Sequence, residues 1–301
     1  MGKKITQLAT ITEVADDDLI VGVDVSDTSG SDNGTNKKFT KATLLDGLAP
    51  LNPQLTGWNP DAETWVYHNV DDPTGYFKIE DKDVSANYSV GWRIMFTNGG
   101  NVIKGIITAI TYSDPDTIIT FLHEIDPTDN QALYLLTNSA ITENYFSPHK
   151  APLGFPMSPA KWTTSVSTTT PTAQTNPTQN TWYNLATLSL AIPIGVWDIS
   201  FKVRIHTNRG SAGALDFQAT LSTTNNSESD SNYTIRNFYN INDAGTTNIQ
   251  LLADCLNRFL LTTTSKTTYY LLERTAAGGL TTLNISIGNS LTEIRATCAY
   301  L

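Results

Sequence analysis

The most regular feature of the chain is an alternation of apolar and polar residues in its last third. Between Val196 and His206, Trp197, Ile199, Phe201, Val203 and Ile205 fall on one side, and Asp198, Ser200, Lys202, Arg204 and His206 on the other. That is the period of a strand with one face in a core and one in water. Leu215, Phe217, Ala219 and Leu221 repeat it against Asp216, Gln218 and Thr220. So do Leu283, Ile285 and Ile287 against Asn284 and Ser286, and Ile294, Ala296, Cys298 and Tyr300 against Glu293, Arg295 and Thr297. The pattern predicts an antiparallel sandwich over 180–301 whose strand number fits a jelly roll. Three segments, 181–192, 255–261 and 267–272, instead carry apolar residues on both faces: Leu256, Leu260, Tyr269 and Leu271 are opposed by Phe259, Leu261, Tyr270 and Leu272. Such strands need a second cover, which predicts a homo-oligomer with Leu256, Leu260, Tyr269 and Leu271 between copies.

Upstream, apolar runs at 63–68, 76–80, 92–96, 102–112 and 117–122 are separated by Asp71-Asp72-Pro73, Asn98-Gly99-Gly100 and Ser113-Asp114-Pro115-Asp116. Short strands between strong turn signals predict a small antiparallel β-barrel over 57–132, closed on itself so that no edge is left open. Residues 133–179 read as a connector. Pro148, Pro152, Pro156 and Pro159 disfavour a ladder, and Thr163 to Gln179 is a Thr/Pro/Ser tract with little to bury.

In 1–50, Asp18 to Val25 predicts one strand and Thr40 a cap for a short helix running from Lys41 to Leu48. One strand and one short helix bury too little to stand alone. The segment is therefore expected to dock on other proteins through Leu19, Val21, Val23, Phe39, Leu44 and Leu45. The predicted class is thus mainly β: a docking segment of strand and helix, a small barrel, a connector and a jelly-roll sandwich.

Composition narrows the function. Of 301 residues, 40% are hydrophobic and only 16% charged, with a net charge of -10; an acidic surface argues against tracking phosphates, so no nucleic acid is expected. No run approaches the roughly 20 apolar residues of a membrane span, so no membrane insertion is expected. Cys255 and Cys298 lie inside strand patterns and read as free buried thiols. The four histidines share no ligand spacing, and no phosphate-loop, nucleophile-elbow or H-E-x-x-H pattern occurs. No metal, cofactor or catalytic residue is expected. The acidic clusters Asp16-Asp17-Asp18, Asp71-Asp72, Asp81/Asp83 and Asp114/Asp116 read as turn formers, because aspartate bonds its own backbone there. A binding surface is best sought in the sandwich loops, where Asn208, Arg209, Asn225, Asn226, Asp230 and Asp243 offer groups suited to saccharide hydroxyls and Tyr233 and Tyr239 offer rings to stack on a sugar.

Two stretches resemble a known family. ITQLATITEVADDDLIVGVDVSDTSG followed by KKFTKATLLDGL is similar to the virion-attachment segments that open tailed-phage fibre and baseplate proteins. Gly57-Trp58-Asn59-Pro60 with Glu63-Thr64-Trp65 and Tyr67, and the run from Lys150 to Trp162 (KAPLGFPMSPAKW), resemble a module of phage fibre and minor structural proteins, especially in phages of Gram-positive hosts. The resemblance implies a virion protein, assembled in the host bacterial cytoplasm, that joins other virion proteins of the tail, baseplate or capsid through its N-terminal segment. It implies a homotrimeric head that binds a host surface glycan, and no enzyme. A capsid head fibre or decoration protein, and a polysaccharide-depolymerising tailspike, are the alternatives.

Overall fold

The computed structural model describes residues 19–24, 35–40, 56–209, 213–241 and 249–301, and they are mainly β in antiparallel ladders. The chain divides into two units, Met1–Pro60 and Asp61–Leu301. In the first, β1 (Leu19–Asp24) pairs with β2 (Thr35–Thr40), with Ile20 opposite Phe39 and Leu19 opposite Thr40; β3 (Asn59–Pro60) is two residues long. The single strand expected here is therefore one arm of a hairpin. Thr40 ends its second arm, where a β-branched residue suits extended backbone. The helix expected over 41–48, with Leu44 and Leu45, lies outside the described residues.

The second unit opens with β4 (Val66–Asp71), β5 (Thr74–Ile79), β6 (Arg93–Asn98), β7 (Asn101–Ser113) and β8 (Asp116–His123), each close to an apolar run of the sequence. After the two-residue strands β9 (Ile125–Asp126) and β10 (Gln131–Ala132) comes β11 (Ile141–Ser147). The ladder runs β11-β6-β7-β8-β5-β4. Trp65 lies flat on Phe77, centroids 4.1 Å apart, and Phe96 stands edge-on to Trp65 and Phe121, which places aromatic edges against aromatic faces. Asp61 fixes this cluster: its carboxylate accepts from Trp65 Nε1 (3.1 Å) and from the Tyr88 hydroxyl (2.6 Å).

Phe121 also lies over glycines on both flanking strands. A Cβ on Gly75 would sit 2.4 Å from its Cζ, and one on Gly105 would sit 2.6 Å from its ring and 2.9 Å from the Leu122 carbonyl. Next to it, His123 is buried with Nδ1 donating to Pro73 O (2.8 Å) and Nε2 accepting from Leu136 N (3.1 Å). Burial pushes its pKa down to about 4, so the ring is neutral.

The predicted barrel does not close: β4 does not pair with β11. The chain ahead of β4 takes that place. Asp61 N donates to Asn144 O (2.8 Å) and Asn144 Nδ2 to Glu63 O (3.2 Å). Register shifts at 67/69 in β4 and 142/145 in β11 bend the two ends, a recognised way of blunting an edge.

The expected connector over 133–179 is also corrected, because it supplies three strands. Besides β11 it holds β12 (Thr163–Thr168) and β13 (Thr172–Thr175), the outermost strands of the first distal sheet. Edge strands carry few apolar residues, and Pro171 separates these two without interrupting either, so composition alone hid them.

The remaining strands are β14 (Ser189–Ile192), β15 (Gly195–Arg209), β16 (Gly213–Ser222), β17 (Ile235–Ile241), β18 (Ile249–Thr263), β19 (Thr267–Thr275), β20 (Leu280–Ile285) and β21 (Thr292–Cys298). One sheet runs β12-β21-β15-β20-β13, with β18 also on β15; the other runs β14-β19-β16-β17. Trp197, Ile199, Phe201, Val203 and Ile205 are buried as their alternation predicts, each worth roughly 2 kcal/mol of apolar burial. Cys255 and Cys298 are buried free thiols.

Arg93 joins the proximal ladder to the distal sandwich. Its guanidinium, fully buried, donates to Gly91 O (2.6 Å), Lys150 O (3.1 Å) and Tyr300 O (3.0 Å) and lies 5.1 Å from the centre of the Phe155 ring. Phe155 stacks on Trp162, whose Nε1 donates to Pro156 O (2.7 Å). The KAPLGFPMSPAKW run is therefore the packing surface of this joint, not a free spacer.

Candidate functional site

The expected binding residues fall into two groups at opposite ends of the sandwich. Asn208 and Arg209 end β15 beside the start of β16, and Tyr239 on β17 is registered with Leu215 near that same end. Asn225, Asn226, Asp230 and Tyr233 follow the other end of β16. Ten residues of strand at about 3.3 Å each separate the groups, so they cannot contact one small ligand. Asp243 lies outside the described residues. Of the first group Arg209 is taken up by structure: its Nη1 donates to Ala214 O (2.7 Å), and its guanidinium fills the space beside Gly213, whereas Tyr239 is 44% exposed.

At the second end, Ser222 shapes the loop. Its hydroxyl accepts from Thr224 N (3.1 Å) and Ser229 N (3.1 Å) and reaches the carbonyls of Thr224 and Ser227. Asn226, at φ 59, takes the left-handed conformation that asparagine tolerates. Its Oδ1 accepts from Asn184 N (2.9 Å), while Asn184 Nδ2 donates to Asn225 Oδ1 (3.2 Å). Asp230 accepts from Asn232 N (2.9 Å) and starts the short 3-10 turn that carries Tyr233. The Tyr233 ring lies on Phe259, centroids 4.4 Å apart, and burial followed by the Asp230 charge raises its pKa. Tyr233 is thus committed to packing, whereas Asn225 and Asn226 are exposed.

Sequence reasoning missed Trp182, Asn184, Gln218, Glu228 and Arg274. The Arg274 guanidinium sits 4.3 Å from the centre of the Trp182 ring, donates to Gln218 Oε1 (3.0 and 2.7 Å) and lies 4.0 Å from Glu228. Glu228 in turn accepts from Thr234 Oγ1. Two acceptors and one donor of this neighbourhood, Asn184 Oδ1, Glu273 Oε1 and Trp182 Nε1, are buried without a partner among the described residues. Only the alternation of Asp216, Gln218 and Thr220 had marked this face as polar.

Glu273 is fully buried. One oxygen accepts from Leu185 N (3.3 Å), and burial pushes its pKa up to about 8.

Of the four residues expected between copies, Leu256 and Leu260 are 61% and 70% exposed, but Tyr269 and Leu271 are buried within this chain's own sandwich. The second cover predicted for 267–272 is intramolecular. Tyr183 bridges Glu273 with backbone hydrogen bonds in both directions (2.9 Å), bringing the buried Trp182, Leu185, Ala186 and Leu188 against β19.

The acidic clusters that lie in described residues serve turns and ion pairs. Asp83 accepts from Ser85, which holds its pKa low, and Lys78 does the same for Asp116. Among the described residues no group of three His, Cys, Asp or Glu is placed to bind a metal, and no helix is long and apolar enough to cross a membrane. A cleft of about 420 Å³ opens at the seam left by the unclosed barrel, between 64–67 and 138–141, without a carboxylate, amine or imidazole in its lining.

No family model and no curated protein matches the chain. Two solved structures of infectious bursal disease virus are similar to it. The Gx strain structure is 8% identical over 83% of this chain and 76% of that one, with a TM-score of 0.27. The VP2 subviral particle is 12% identical over 79% and 74%, with a TM-score of 0.25. At that similarity neither bears on function.

Proposed function

We propose that this chain is a phage virion protein, of the fibre kind, that binds a host surface saccharide through the 222–234 end of its distal sandwich. Leu19, Val21, Val23, Phe39, Leu44 and Leu45 belong to the segment that would dock on other virion proteins, as the resemblance of the leader implies. The observation that carries the reading is the amide cluster of Asn184, Asn225 and Asn226 on a loop pinned by Ser222. The exposed Asn225 and Asn226 amides each keep N–H donors and a second oxygen lone pair for vicinal hydroxyls, with Asn184 holding them in place, and a loop already fixed in shape loses little entropy on binding. The reading is of binding without turnover. Several copies per particle would convert weak single contacts into lasting attachment.

An array of purified bacterial cell-wall polysaccharides probed with the full chain tests it. The chain should bind at least one glycan, and the paired change Asn225→Ala with Asn226→Gly, the glycine keeping the left-handed backbone, should weaken that binding about tenfold or more while the chain stays folded, its melting temperature lowered by no more than a few degrees for the lost contacts to Asn184. No binding across the array, or binding unaffected by the pair, would overturn the proposal.

A further inference from the structure

The longest strand pair among the described residues is β15 on β18, fifteen residues against fifteen without a register shift. On its other side β18 pairs with nothing among the described residues. Arg258 N, on that unpaired side, is satisfied only locally, by Asn257 Oδ1 (2.9 Å). Exposed edges are normally blunted by proline, lysine or a bulge. β18, IQLLADCLNRFLLTT, has no proline or lysine, and its pairing with β15 has no bulge.

Its inner face is occupied: Cys255 and Leu261 are buried, Asn237 Nδ2 reaches Cys255 Sγ (3.0 Å), and Phe259 lies against Tyr233. Its outer face reads Leu252, Asp254, Leu256, Arg258, Leu260, with the three leucines 51%, 61% and 70% exposed. This sequence is symmetric in its apolar positions about Leu256 and opposite in charge on either side of it. We infer that β18 is a dimerisation strand, and that two copies of this chain join edge to edge, antiparallel about Leu256, into one continuous sheet.

The register follows from the charges. Centred on Leu256, each Asp254 faces Arg258 of the second copy, Leu252 faces Leu260, and Leu256 faces itself. A slip of two residues sets leucines against charges. A slip of four sets Asp254 against Asp254 or Arg258 against Arg258, and like charges directly opposed are destabilising. Parallel pairing in register opposes like charges as well. The chosen register also extends ion pairs already present, since Asp254 binds Arg204 (2.8 Å) and Arg258 binds Asp198. Across the joint the ion pairs then run Arg204, Asp254, Arg258 and, one diagonal step away, Asp198, with signs alternating. The contact is isologous, so it closes with two copies, unlike the homotrimer expected from the family resemblance. It does not depend on the glycan reading.

Mass measurement of the full chain by light scattering at micromolar concentration should return a dimer; a monomer or a trimer would overturn the inference. Leu256→Lys should weaken association about tenfold or more. The sharper test uses two variants. Asp254→Arg opposes cations to cations across the joint and Arg258→Asp opposes anions to anions, so each alone should be monomeric; because each also loses an exposed ion pair within the chain, to Arg204 or to Asp198, circular dichroism should show the fold retained with a melting temperature lowered by no more than a few degrees. Mixed together, the two variants restore both ion pairs and should form a heterodimer. A mixture that stays monomeric, or single variants that still dimerise, would refute the register.

Discussion

Arg93 at the joint and Glu273 inside the sandwich are both ionisable and both fully buried, yet the surrounding chain treats them differently. Arg93 meets three carbonyl oxygens and an aromatic face, so the cost of removing it from water is offset by hydrogen bonds, even though burial lowers its pKa. Glu273 has one amide donor for one oxygen and none for the other. The first arrangement makes a charge into a structural peg. The second keeps a carboxyl neutral and leaves the fold sensitive to pH rising from mildly acid to neutral.

The comparison breaks first at Arg93. Arg93→Met would leave the carbonyls of Gly91, Lys150 and Tyr300 without that donor, at a cost of up to about 5 kcal/mol in urea-unfolding stability. A loss below about 1 kcal/mol would mean that the joint is held by apolar contact alone.

Glu273 gives the next largest effect. Its pKa rises from 4.5 unfolded to about 8 folded, so the folded state binds the proton more tightly. Stability is therefore greatest below 4.5, declines as pH rises through the window up to about 8, and stays low above it. The decline should be on the order of 4 to 5 kcal/mol, read from unfolding midpoints across that range, and Glu273→Gln should flatten it. A wild-type profile that is already flat would show that the carboxyl finds a partner or water.

Least affected is Lys266, which reaches from the turn before β19 to Asp71 Oδ1 and Asp72 O, each at 2.7 Å, and so braces the two parts of the unit at a second point. The Lys266 and Asp71 side chains are both partly exposed (31% and 46%), so Lys266→Ala should cost only about 0.5 kcal/mol, and less at high salt. A larger loss would shift weight from Arg93 to this strut.

Strands with a strict two-residue period, such as β15 and β16, were legible in the sequence because one face meets a core and the other water. β12 and β13 were not, since an edge strand meets too little core to imprint a pattern, and neither was β11, whose middle residues stay partly exposed and whose register shifts between 142 and 145. Asn225 and Asn226 were legible as polar loop residues. Their separation from Asn208 was not, because it depends on the direction in which β16 runs. Arg274 and Gln218 touch across 56 residues of chain, and no local spacing encodes such a pair.

Phe121 works like a tooth whose two notches are cut in the neighbouring strands. Gly75 can accept a methyl group only if that ring and His123 both give way, whereas Gly105 is blocked by the main chain whatever happens to the tooth. Drift at these positions must therefore be concerted, and β8 can mesh between β5 and β7 in a single alignment only.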